Sequence, residues 1–140
     1  MNLERFVSAQ NLDYEIALSE IKSGRKRSHW MWYIFPQIHG LGYSSMAKFY
    51  AIKDKEETIA YLQHPILGKR LIEITEALLD LNENNASLIM GYPDVLKLKS
   101  SMTLFYVVGE MEVFKKVLNK YFSGKMDTKT LEMLDIEIET

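Results

Sequence analysis

Apolar residues three and four positions apart, with no convincing run of residues alternating two apart, most tightly constrain what this chain can fold into. Leu67, Leu71, Ile74, Leu78 and Leu81 recur at helical spacing behind Pro65, which suits a first turn because the N–H it lacks has no partner there anyway. Strands would require alternation bounded by hairpin turns, and that pattern is missing. The chain therefore reads as all-α.

Punctuation between the apolar segments divides the helices. Leu3, Phe6 and Val7 open one, and Asp13 is placed to cap a second that carries Tyr14, Ile16, Ala17 and Ile21 before Gly24 ends it. Ser28 is placed to cap a short apolar helix reaching about Phe35, because Pro36 disfavours helical backbone in the residue before it. Gln37 to Tyr43, with Gly40 and Gly42, reads as a loop, and Ser44 or Ser45 opens another short helix, although Phe49 to Ile52 fits extended backbone equally. Asp54 caps a helix bearing Ile59, Tyr61 and Leu62, which His64 and Pro65 stop. After the long helix from Ile66 to about Leu81 come a polar loop, a short helix Ala86 to Met90, and a helix from Asp94 to about Gly109. One more runs from Glu110 to Phe122, and a last one starts at Asp127 before a fraying tail, Glu137 to Thr140. These helices are too short for a regular four-helix bundle. The expected architecture is a compact, irregular bundle of about seven or eight short helices in a single domain, residues 1–140.

Composition removes several function classes. An apolar share of 47% supports a packed core, and a net charge of −2 lacks the overall basic footprint of a general nucleic-acid binder. Nucleic acid is thus a disfavoured partner, and any anion-binding surface must be local. The absence of cysteine excludes disulfides, thiolate zinc sites and a cysteine nucleophile. His29, His39 and His64 have no metal-ligand spacing, so neither a metal nor a cofactor is expected. No stretch approaches the roughly 18 unbroken apolar residues of a membrane span, and the expected location is cytoplasmic.

Chemistry is concentrated in the run Gly24-Arg25-Lys26-Arg27-Ser28-His29-Trp30-Met31-Trp32-Tyr33-Ile34-Phe35-Pro36-Gln37. Arg25, Lys26 and Arg27 stand before a candidate helix start, where free N–H groups favour an anion; equally, three cations in a loop can simply be solvated. His29, Trp32 and Tyr33 share a side at helical spacing. Trp30 or Trp32 can form a platform at a cleft, or both can fill the core. A second feature is the polar strip Asp94, Lys97 and Ser101 on an otherwise apolar helix, with Ser100 and Thr103 nearby. Asp94 could cap the helix and pair with Lys97, with the hydroxyls bonding back to carbonyls; or the strip could face the tryptophans across a cleft. The Gly40-Leu41-Gly42 loop has no P-loop lysine and no preceding strand, so no nucleotide motif is present.

The same residues carry a family resemblance. The Gly24 to Gln37 run, with Phe6-Val7-Ser8-Ala9-Gln10, Gly40-Leu41-Gly42, Tyr61-Leu62-Gln63-His64-Pro65 and Lys97-Leu98-Lys99-Ser100-Ser101-Met102-Thr103-Leu104-Phe105, resembles the bacterial family of unknown function numbered 1810 over nearly the whole chain. The resemblance implies an all-helical fold. Some members carry a calpastatin-like label, which denotes a disordered repeat inhibitor, unlike this apolar-rich chain. A more distant likeness of fold, to the NADAR group typified by YbiA-like proteins, implies a ligand related to ADP-ribose.

The expected function is binding or hydrolysis of an N-glycosidic, phosphorylated riboside related to ADP-ribose or NAD. Asp94 is the candidate catalytic carboxylate, ahead of Glu20 and Glu73, since a transition state with oxocarbenium character calls for a nearby negative charge or a general base. Arg25, Lys26, Arg27, His29, Trp30, Trp32, Gln37, Lys97 and Ser101 form the candidate ligand-binding set. The alternative is a non-catalytic protein-interaction module that presents Trp30, Trp32 and Phe35, ringed by basic residues, as an anchor.

Overall fold

The structure, a computed structural model, describes residues 2–136. Nine helices are found among them: α1 Glu4–Lys22, α2 Met31–Ile34, α3 Ser45–Phe49, α4 Lys55–Gln63, α5 Leu67–Leu79, α6 Ala86–Met90, α7 Asp94–Gly109, α8 Glu112–Phe122 and α9 Thr128–Met133. The fold is all-α, as the spacing requires. Nine stand against the seven or eight expected, although the two helices expected between Leu3 and Gly24 are a single one. The expected fraying of Glu137 to Thr140 lies outside the described residues.

Helix α1 differs from expectation in a way that matters for the site. It runs unbroken through Asp13, burying Phe6, Gln10, Tyr14, Ala17, Leu18 and Ile21 along one stripe. Asp13 is no cap, because its carboxylate accepts the Tyr33 hydroxyl and so ties mid-α1 to α2. Ile16, expected on the core face, points outward. Gly24 behaves as expected, turning the chain at φ +84° with its N–H on the Ile21 carbonyl.

Helix α7 is the hub. Val95, Leu98, Met102, Leu104 and Phe105 are buried around most of its circumference, the pattern of a helix enclosed by others. It packs on α4, α6, α8 and α9, while α5 joins α1, α4 and α8. Two of the three buried hydroxyls on α7 are satisfied locally: Ser100 donates to the Leu96 carbonyl at 3.1 Å and Thr103 to that of Lys99 at 2.8 Å, whereas that of Ser101 has no partner among the described residues. Asp127 then clips α9 onto α7. Its backbone N–H donates to Thr103 at 2.9 Å, and its carboxylate accepts from Ser100 at 3.2 Å and from the Thr130 N–H at 3.0 Å.

The glycine loop is held at its base by a parallel bridge between Ile38 and Ile52, in which Ile52 N–H donates to Gln37 and His39 N–H to Ile52. That single bridge is what the extended alternative at Phe49 to Ile52 becomes. Ser44 caps α3 through Ala47, Asp54 caps α4 through Glu57, and the His64 ring accepts from the Ile66 and Leu67 N–H groups at the start of α5.

Candidate functional site

The aromatic and basic run is mostly internal. Trp30 is 1% exposed and Phe35 is fully buried, so neither can serve as an open stacking platform or a docking anchor. For Trp30 this corrects the platform and the anchor readings and leaves the alternative in which it fills the core. Ser28 does not cap α2 either. Instead the Glu20 carboxylate reaches up from α1, accepting from the Arg27 and Ser28 N–H groups at 2.7 and 2.9 Å, the Ser28 hydroxyl at 2.5 Å and the Trp30 indole at 2.9 Å. The anion cradle expected at Ser28 exists, and the protein's own carboxylate fills it. Partial desolvation pushes the Glu20 pKa up, but the donors from Ser28, Arg27 and Trp30 outweigh it and bring the group down to about 2.

The three cations of the basic step part company. Arg25 and Arg27 are exposed, whereas the Lys26 side chain is 7% exposed and turns inward. Its ammonium lies 2.9 Å from Asp94 Oδ2 and 4.8 Å from the Trp30 ring centroid, and it donates to the Ser28 carbonyl. Asp94 Oδ1 in turn lies 3.6 Å from Lys97, whose ammonium sits 5.4 Å from the centroid of the half-buried Trp32 ring. Asp94 therefore starts α7 without capping it. It bridges two cations, one sealed inside and one reaching outward, and both of its oxygens are engaged. A carboxylate so held is better suited to positioning charge than to accepting a proton from water.

Lys97 opens onto a groove of about 380 Å³ between three segments. The glycine loop supplies Gln37, Leu41 and Gly42; α7 and the residue before it supply Pro93, Leu96, Lys97, Lys99 and Ser100; the start of α9 supplies Asp127, Thr128 and Lys129. Gly42 is needed for that wall, since a Cβ there would lie 2.4 Å from the Cβ of Ala47. The volume lies within the range of small-ligand clefts. Lys99 and Lys129 form no ion pair among the described residues, so their charge is open to an incoming anion. Asp127 spends Oδ2 on Ser100 and Thr130, and its other oxygen has no protein donor among the described residues.

Of the candidate set, then, Gln37 and Lys97 line the groove, with Trp32 beneath Lys97. Lys26 and Asp94 lie behind it as its electrostatic support. Trp30 is in the core, His29 is exposed on the turn before α2, and Ser101 is fully buried with its hydroxyl unpartnered, outside the groove lining. Glu73, the remaining carboxylate considered, accepts the Tyr14 hydroxyl at 2.5 Å. Lys99, Lys129 and Asp127 were not singled out as site residues. The cap at Asp127 was visible in the sequence; its clip to Ser100 and Thr103, which sets the start of α9 with Lys129 against the groove that Lys97 lines, joins positions 24 and 27 residues apart and leaves no local pattern.

No group of three or more histidine, cysteine or acidic side chains with metal-site geometry is present among the described residues. No described helix is long and apolar enough to cross a membrane.

Comparison with known proteins agrees with the fold. The structure is similar to the crystal structure of the conserved hypothetical protein Rv1873 from Mycobacterium tuberculosis, with a TM-score of 0.93 and 44% sequence identity over 96% of this chain and 97% of that one. No curated protein matches. Residues 1–134 match the family described as protein of unknown function (DUF1810), and the chain belongs to that family.

Proposed function

We propose that the protein binds a small phosphorylated ligand of the riboside type in the groove between the glycine loop, α7 and α9. The observation that carries this reading is the convergence of Lys97, Lys99 and Lys129 on one cleft, two of them without carboxylate partners among the described residues. Ammonium groups at a partly enclosed surface attract phosphate more strongly than scattered surface lysines do, because the walls displace water and lower the effective dielectric. Gln37 and the spare oxygen of Asp127 supply neutral and anionic acceptors for sugar hydroxyls. The distant resemblance to the NADAR group read in the sequence, which the comparisons do not extend to, makes ADP-ribose the first compound to try.

Binding, rather than hydrolysis, is the activity the geometry favours. Asp94 is occupied by Lys26 and Lys97, so its role here is to hold Lys97 in place above Trp32. Glu20 and Glu73 are committed to internal donors.

The test is titration with ADP-ribose and with pyrophosphate while following thermal unfolding and tryptophan fluorescence. A midpoint that climbs with ligand concentration is expected, together with loss of at least about tenfold in affinity in Lys97→Ala/Lys129→Ala, the equivalent of about 1.4 kcal/mol. A midpoint unmoved by millimolar amounts of either compound would overturn the reading.

A further inference from the structure

We infer that the groove selects ligands carrying a flat heterocyclic base, and that Tyr43 and Tyr92 are the residues that recognise it; this rests on the proposed anion-binding role of the groove. The two rings are the most exposed aromatics described, Tyr43 at 85% and Tyr92 at 80%. Phe49, the next at 59%, at least meets Tyr50 edge-on at 4.8 Å between centroids. Neither tyrosine packs on another ring. Large aromatic side chains contribute to folding mainly through the surface they bury, and these two bury almost none.

Their placement supplies a use. Tyr43 directly follows Gly42 and Tyr92 directly precedes Pro93, and Gly42 and Pro93 line different walls of the groove. Both tyrosines lie on irregular backbone, between α2 and α3 and between α6 and α7, each one residue from the lining of the groove though neither ring lines it in the structure. Lysines alone do not distinguish a nucleotide from a sugar phosphate or from pyrophosphate, since each offers the same anionic oxygens. A ring face does, because stacking is available only to a ligand with a planar base. Phosphate on the Lys97, Lys99 and Lys129 side with a base against Tyr43 or Tyr92 describes a nucleotide or dinucleotide, not a sugar phosphate.

The experiment compares ADP-ribose, ribose 5-phosphate and pyrophosphate as probes by calorimetric titration of the wild-type chain, Tyr43→Ala/Tyr92→Ala and Tyr43→Phe/Tyr92→Phe. Wild type is expected to bind ADP-ribose at least about tenfold more tightly than ribose 5-phosphate. The alanine pair loses that preference while its pyrophosphate affinity stays within about twofold, and the phenylalanine pair keeps it, because the ring face is retained. Equal ADP-ribose affinity in wild type and the alanine pair would overturn the inference. So would wild-type protein that binds pyrophosphate but shows no preference for ADP-ribose, and in that case the anion site would stand. If wild type binds none of the three probes, the anion site falls and the base-recognition role falls with it.

Discussion

The run from Gly24 to Gln37 and the groove beside α9 both gather cations, arranged to opposite ends. In the run, Lys26 is neutralised by Asp94 and covered by Trp30, and the backbone donors ahead of α2 are taken by Glu20. At the groove, Lys99 and Lys129 lack such partners among the described residues. Density of chemistry in a sequence therefore does not locate a site. What distinguishes the two regions is whether each polar group is already satisfied by the protein, since a satisfied group has little left to offer a ligand.

The largest effect that sharpens this comparison should come from Trp30→Ala. Removing a fully buried indole and stranding one of the Glu20 contacts is expected to cost about 3–5 kcal/mol, read as a lowered midpoint in urea, whereas Trp32→Ala should cost clearly less. Equal losses would show that Trp32 is as structural as Trp30. Next, Asp94→Ala leaves the buried Lys26 ammonium unpaired, and a loss of about 3 kcal/mol is expected; adding Lys26→Met should restore part of it, and a double-mutant cycle measures how much. A cycle with no coupling would remove Asp94 from its bridging role.

Acid should act on the run before the groove matters. The pKa of Glu20 lies at about 2 in the folded chain, below its ordinary value of about 4.5. Its stabilising contribution is thus complete above about pH 4.5 and is lost as pH falls toward 2. Glu20→Gln should flatten that part of the stability profile; a profile indistinguishable from wild type would mean the carboxylate is not held as described. The smallest stability change belongs to the groove. Lys99→Ala and Lys129→Ala should each lie within about 0.5 kcal/mol of wild type while weakening phosphate binding, a separation that calorimetric titration and thermal melts measure together.

Much of the fold was legible because it depends on local rules. The Leu67 to Leu78 stripe, the caps at Ser44, Asp54 and Asp127 and the turn at Gly24 all follow from spacing and from the residues' own backbone preferences. Asp13 and Asp94 misled for one reason: an acidic residue before an apolar stretch looks like a cap, but a distant partner, the Tyr33 hydroxyl or the Lys26 ammonium, had a stronger claim on each. The site was legible in part. Lys97 and Gln37 were found through the motifs that contain them, whereas Lys129 reaches the groove only through the clip of Asp127 to α7, a long-range contact with no sequence periodicity.

The most direct measurement of the central claim, that the groove and not the aromatic run receives the ligand, is an amide chemical-shift titration of isotopically labelled protein with ADP-ribose. Saturable shifts concentrated at residues 37–43, 92–100 and 127–129, with residues 25–29 little changed, are the expected result. Shifts concentrated at 25–29 while the groove stays silent would contradict it.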